Sequence, residues 1–187
     1  MSSLGTVFIT GSNRGIGLEF TKQYVLQNWN VIATCRNTNQ ADELNELSEK
    51  HKNLSLLDLD ITNKDSVDDV ANILDGQPID LLINNAAYLG PPDPQKFGDI
   101  DYEMFTKSFE VNVIGPIRVT EKLINNVRSS NTKKIIFLGS AAGSIAQITP
   151  PVTLYSYRSS KAALHLAVHN LYHELANENI IVSLINP

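Results

Sequence analysis

Tyr157-Arg158-Ser159-Ser160-Lys161 sets a phenol and an ammonium four residues apart. On a helix the two side chains share one face. A neighbouring ammonium stabilises phenolate over phenol. A phenol so placed can give a proton to a carbonyl oxygen or take one from an alcohol. The same spacing also suits a surface tyrosine beside a solvated lysine. Tyr155 offers no such chemistry, because four residues on it meets Ser159. A second candidate is Thr10-Gly11-Ser12-Asn13-Arg14-Gly15-Ile16-Gly17, which follows the apolar run Val7-Phe8-Ile9 and opens a helical pattern from Gly15 to Gln27. Missing side chains let the backbone approach an anion, and a helix N-terminus offers free N–H groups and a positive dipole end. The spacing is Gly-x-x-x-Gly-x-Gly, and glycine clusters after strands also serve as plain turns.

The elements around these residues alternate between strand and helix, which implies a parallel sheet covered by helices. Strands are expected at Val7–Ile9, Asn30–Cys35, Leu54–Leu59, Ile79–Ile83, Lys134–Leu138 and Ile180–Ile185. Helices are expected from Gly15 to Gln27, Ala41 to Lys52, from the cap-type run Thr62-Asn63-Lys64-Asp65 to about Leu74, Tyr102 to Arg128 and Tyr155 to Asn177. The fourth is interrupted by Gly115-Pro116, where proline should remove a hydrogen bond and bend the axis. Residues Tyr88 to Asp101, with Gly90, Pro91, Pro92, Pro94 and Gly98, read as a loop over the sheet's C-terminal edge. The polar residues of interest (the glycine loop, Arg36, Asp60, Asn84, Ser140) all stand at C-terminal strand ends, where open parallel sheets bind ligands.

The chain has 187 residues, enough for one domain with a sizeable core. It is 42% hydrophobic and 19% charged, with a formal net charge of −5 and no Lys/Arg block, which argues against a nucleic-acid or membrane-surface binder. The single cysteine, Cys35, leaves no disulfide within the chain and no cysteine cluster for a metal. Met1 to Gly5 carry no basic segment ahead of an apolar one, and no apolar run approaches the roughly 20 residues of a membrane span. A cytoplasmic enzyme without metal fits these features.

The glycine loop, Asn84-Asn85-Ala86-Ala87, Ser140 and Tyr157…Lys161 occur in the order and strand context of the short-chain dehydrogenase/reductase family. The chain resembles that family over essentially its whole length. Cys35-Arg36 after Ala33-Thr34, the run Gly139 to Ile145, and Tyr155 to Lys161 look most like the carbonyl-reductase-like members grouped with sniffer and the C-factor signalling protein. The resemblance implies a Rossmann-type, doubly wound α/β sheet in a single nucleotide-binding domain, and an NAD(P)-dependent oxidoreductase acting on a carbonyl or alcohol. It implies Tyr157 as general acid/base and Lys161 as the group that tunes Tyr157 and binds the nicotinamide ribose. Ser140 would orient the substrate oxygen, and Asn112 would hold a water linking Lys161 to solvent. Ser140 also suits a turn-capping serine, Asn112 an amide that satisfies its own bent helix, and Ser144 the family's structural serine.

Gly11, Ser12, Asn13, Arg14, Gly15, Ile16 and Gly17 would cradle the cofactor's phosphates. Asp60 and Ile61 would contact its adenine, and Asn84 and Ala86 its adenosine ribose. An NAD-preferring site usually has an acid at the end of the second strand. Here Cys35 and Arg36 stand there, and Arg14 sits in the loop, so two guanidinium groups would suit a 2′-phosphate and NADP(H) is expected. Arg36 also suits a solvated loop residue. Ala87 replaces the family's usual glycine, and the interval from Ser140 to Tyr157 is longer than usual, with Thr149-Pro150-Pro151 expected near the substrate mouth. Asn186-Pro187 matches the family's Asn-Pro, which puts Pro187 among the cofactor-binding residues. The chain as it stands lacks the substrate lid and last strand that follow in the family, and is expected to be part of a longer polypeptide. A nucleotide-binding sensor of the same fold is the alternative reading. The apolar face Leu164, Val168, Leu171 and Leu175 suits either a homodimer contact or packing on the sheet.

Overall fold

The computed structural model describes residues 3–91, 95–148 and 153–187. Pro92, Pro94 and the Thr149-Pro150-Pro151 stretch therefore lie outside the described residues. The elements run β1 (Thr6–Thr10), α1 (Gly15–Leu26), β2 (Asn30–Cys35), α2 (Asp42–Lys50), β3 (Leu54–Asp58), α3 (Lys64–Ile73) and β4 (Leu81–Asn84). A two-residue-strand hairpin, β5 (Gln95–Lys96) and β6 (Asp99–Ile100), precedes α4 (Tyr102–Phe109), α5 (Gly115–Arg128), β7 (Lys134–Leu138), α6 (Tyr155–Leu175) and β8 (Ile181–Ile185). The large sheet has the order β3-β2-β1-β4-β7-β8, and every neighbouring pair in it is parallel.

The strands read as continuous apolar runs because helices cover both faces. Successive residues divide between two cores, as a period of two requires. Phe8, Leu82, Ile135 and Phe137 pack with α3, α5 and α6, while Val7, Ile9, Leu81 and Ile83 pack with α1 and α2. Leu164, Val168 and Leu175 of α6 are buried in the first core, with Leu171 packed against it. The apolar face of α6 is thus spent on the sheet. None of the described helices is long and apolar enough to cross a membrane.

Local chemistry sets the helix starts. Asn63 accepts from Asp65 N and Ser66 N to cap α3, and Asp101 does the same for Glu103 N and Met104 N of α4. The long fourth helix differs from the sequence expectation. Its irregularity falls one turn before Gly115-Pro116, as a π segment over Glu110–Ile114 between α4 and α5. Pro116 is the second residue of α5, directly after the π segment. Gly115 is a packing residue: a Cβ there would lie 2.7 Å from Ile61 Cδ1. The order of strands reverses between β1 and β4, which opens a crevice at their C-terminal ends.

Candidate active site

The crevice is a cleft of about 1560 Å³ lined from the ends of β1, β2, β3 and β4, from the start of α1, and from α4, the π segment and α5. Of the expected cofactor residues, Gly11, Asn13, Arg14, Gly15, Ile16, Arg36, Asp60, Ile61 and Ala86 form its wall. Gly11 has φ +69°, and a Cβ there would lie 2.9 Å from Ala86 Cα, so the ends of β1 and β4 meet only because a glycine stands there. Asp60 Oδ1 accepts from Thr62 N and Thr62 Oγ1 at 2.9 and 2.7 Å, which fixes its turn after β3.

Six expected cofactor residues are not on that wall: Tyr157 and Lys161 stand beside it on α6, and four lie elsewhere. Ser12 is buried, and its hydroxyl donates back to Ile9 O at 3.0 Å. Gly17 lies under the loop, where a Cβ would run into Gly11 O and Asn85 Nδ2. Asn84 ends β4 facing α5, donates to Thr120 Oγ1 at 2.9 Å, and leaves its buried Oδ1 without a partner among the described residues. Pro187 is exposed just beyond β8 and away from the cleft wall.

Sequence reasoning missed the residue that holds this wall together. Asn85 Nδ2 donates to Thr10 O and Gly11 O, both at 2.9 Å, and Asn85 N and Ala86 N donate to Thr10 Oγ1. One amide therefore ties the glycine loop to the end of β4. The Asn84-Asn85 pair signals a polar strand end, but which of the two faces the loop depends on register. Arg118 was missed too. It lines the cleft and donates to Ile61 O at 2.8 Å.

Beside the cleft, α6 brings Tyr157 and Lys161 to the end of β7. Lys161 is 3% exposed, its Nζ donates to Leu138 O at 2.8 Å and lies 5.8 Å from the Tyr157 ring centroid. Burial pushes its pKa down to about 8. Ser140 follows β7 by two residues and opens a short 3₁₀ turn over Ala141–Gly143, which packs on α6 at Lys161 and Ala162. Ser140 Oγ accepts from Ala142 N at 3.2 Å, so the serine does cap this turn. A hydroxyl that accepts there keeps its own hydrogen to donate elsewhere. His165, one turn past Lys161, accepts from Ser140 N at 3.4 Å. Burial and the Lys161 charge push its pKa down, which keeps the ring neutral and able to accept.

Asn112 is 1% exposed in the π segment. Its Oδ1 accepts from Tyr88 N at 2.7 Å, and its Nδ2 donates to Tyr88 O and Ser160 Oγ at 2.8 and 3.0 Å. Ser160 Oγ in turn donates to Tyr157 O at 2.9 Å. Asn112 therefore ties together three elements rather than satisfying its own bent helix. Its carbonyl stands four residues before Pro116, which has no N–H to give it. Tyr88 lines the cleft, so a continuous set of hydrogen bonds joins the cleft wall to the first turns of α6.

The family model for short chain dehydrogenases matches residues 5–187. An uncharacterized oxidoreductase of Schizosaccharomyces pombe is 30% identical over 188 residues, which cover 96% of this chain and 71% of that protein. The structure of the NADPH-bound carbonyl reductase from chicken fatty liver superposes with a TM-score of 0.86 at 28% identity, over 98% of this chain and 78% of that one. The carbonyl reductase Sniffer of D. melanogaster gives a TM-score of 0.86 at 27% identity, over 98% and 80% of the two chains.

Proposed function

As this chain belongs to the short chain dehydrogenase family, we propose that it is an NADP(H)-dependent oxidoreductase that interconverts a carbonyl and an alcohol. The observation that carries the reading is that Lys161 and Ser140 stand at the end of β7, with Tyr157 one turn before Lys161 on α6, while Asn112 ties the first turns of α6 to Tyr88 on the wall of the large cleft. The cleft wall fits a dinucleotide. The close approach at Gly11, the open space at Gly15 and the start of α1 fit a pyrophosphate. The exposed guanidinium groups of Arg14 and Arg36, both on the wall, fit a 2′-phosphate. The bound nicotinamide would supply the hydride acceptor or donor.

The protein's own residues do the rest. Tyr157 gives the carbonyl oxygen a proton in reduction and takes it back in oxidation. Ser140 directs its free hydroxyl hydrogen at the same oxygen and orients it. Lys161, as an ammonium, stabilises the phenolate that Tyr157 becomes and holds the ribose hydroxyls. Asn112 offers its backbone carbonyl to a water that returns protons to Lys161. The same reading takes a small carbonyl or alcohol as substrate. The NADPH-bound carbonyl reductase among the similar structures supports it.

Cofactor choice is tested by dissociation constants for NADPH and NADH. Wild type should favour NADPH, and Arg36→Ala should weaken NADPH about 10-fold, the size of one charge-assisted contact, while leaving NADH almost unchanged. Equal affinities in wild type, unaltered by the substitution, would overturn the NADP(H) assignment.

A further inference from the structure

The helix that carries Tyr157 has no cap of its own. Leu154 precedes α6 with φ +63° and offers no side-chain hydrogen bond to the first turn. A helix leaves its first N–H groups unpartnered, and fraying there would move Tyr157, the third residue of α6. The missing acceptor comes from a distant part of the chain. Gln95, on β5 and 0% exposed, places Oε1 at 2.7 Å from Ser156 Oγ and 3.2 Å from Tyr157 N, and accepts from both. The Tyr157 N–H is one of the two that a side-chain cap normally takes.

The other end of the same amide holds the cleft segment. Gln95 Nε2 donates to Leu89 O at 2.8 Å and Pro91 O at 2.9 Å. Both donors and both acceptor directions of the amide are thus occupied. The orientation follows from the partners, because the flipped amide would set its NH₂ group against an N–H and its oxygen against two carbonyls. Asparagine is one methylene shorter, methionine has the length without the polar atoms, and glutamate keeps the acceptor without the donors. The segment that Gln95 holds also begins with Tyr88, whose backbone grips Asn112. One short stretch thereby sets Asn112 through Tyr88 and Tyr157 through Gln95.

We propose that Gln95 is a positioning residue for the reaction: it caps α6 from the segment after β4 and fixes Tyr157 relative to Asn112 and the cleft. The inference rests on the role of Tyr157 given above. The substitution Gln95→Met removes all four hydrogen bonds at constant length. It should speed amide exchange across residues 153–161 while leaving the β1–α1 loop unchanged. NADPH affinity should stay within about twofold, and kcat should fall by about 10- to 100-fold, the effect of a small misplacement of a reacting group. Gln95→Glu keeps the oxygen that faces Tyr157 and disturbs only the half that faces Leu89 and Pro91. It should preserve the protection of the first turn of α6 and lose less kcat than Gln95→Met.

Unchanged exchange and kcat in Gln95→Met would overturn the proposal. So would a parallel loss of NADPH binding and turnover, which marks a general loss of structure, or equal kcat losses in the two variants when only Gln95→Met loosens α6. If Gln95→Met does not fold, Gln95→Glu decides by the same exchange measurement, and faster exchange across 153–161 in it counts against the cap. Absence of turnover in wild type would count against the carbonyl–alcohol reading alone, since the exchange rates still decide whether Gln95 caps α6.

Discussion

Lys161 is the residue whose position costs the fold most visibly. Its ammonium is almost wholly buried, its one described hydrogen bond goes to Leu138 O, and burial brings its pKa from 10.5 to about 8. Below pH 8 the lysine is charged in both folded and unfolded chains, and the full burial penalty is present. Between about 8 and 10.5 the folded chain releases its proton first, so the penalty fades and stability rises with pH. Lys161→Met removes the titrating group. Its stability relative to wild type should therefore fall between pH 7.5 and pH 9.5, read from urea midpoints at the two values, while turnover is lost at both. A pH-independent difference would contradict a buried, destabilised ammonium. At this scale the sequence was informative where local spacing decides. Tyr157 and Lys161 share a helical face because four residues make about one turn. Asn84 and Asn85 were not separable, since one residue of register exchanges the sheet face for the loop, and the two amides have opposite duties.

The glycine loop shows how an element sets the site. Gly15 has φ +57° with open space around it, whereas Gly17 is closed in by Gly11 O and Asn85 Nδ2. The two glycines therefore answer to different constraints. Gly15→Ala should cost about 1–2 kcal/mol of backbone strain and leave the loop in place. Gly17→Ala must displace the loop backbone or break the Asn85 clamp, costing about 1–3 kcal/mol and weakening NADPH binding as well. Chemical denaturation and a fluorescence titration of both variants check this; equal behaviour would contradict it. Most elements were legible to within a residue or two, because apolar periodicity and cap residues such as Asn63 are local signals. The π segment was not. Glu110–Ile114 contains no helix breaker, and its widened turn is tied to the hydrogen bonds of Asn112 with Tyr88 and Ser160, which lie far away in sequence. The hairpin carrying Gln95 was hidden for the same reason, inside a proline-rich stretch that reads as loop.

At the scale of the whole molecule, two cores of buried side chains lie on the two faces of the large sheet. The cleft opens where the strand order reverses, so its wall draws on the ends of four strands, on α1, α4 and α5, and on the π segment. A ligand filling that wall should tie both halves of the sheet and stabilise the fold by mass action. At about 100 times its dissociation constant NADPH should add about 2.7 kcal/mol, and the melting temperature should keep rising with each tenfold increase in concentration. A melting temperature indifferent to NADPH would contradict a cofactor site in the cleft. The sheet's existence, its parallel sense and the location of the polar residues at strand ends were readable from alternation alone. The contacts between its two halves, such as Asn85 on the glycine loop, were not, because no local pattern announces a partner about 75 residues away.

The most direct test of the account follows NADPH absorbance with a panel of ketones, aldehydes and quinones for wild type and Tyr157→Phe. That substitution removes one oxygen from α6 and touches none of the described hydrogen bonds of the Tyr157 backbone to Gln95 and Ser160. Wild type should oxidise NADPH with at least one class of carbonyl. The variant should lose about 100-fold or more in kcat, the contribution of a placed general acid, with its NADPH dissociation constant unchanged. Turnover that survives in Tyr157→Phe would contradict the assignment of Tyr157 as the proton donor, and with it the chemistry proposed for the site.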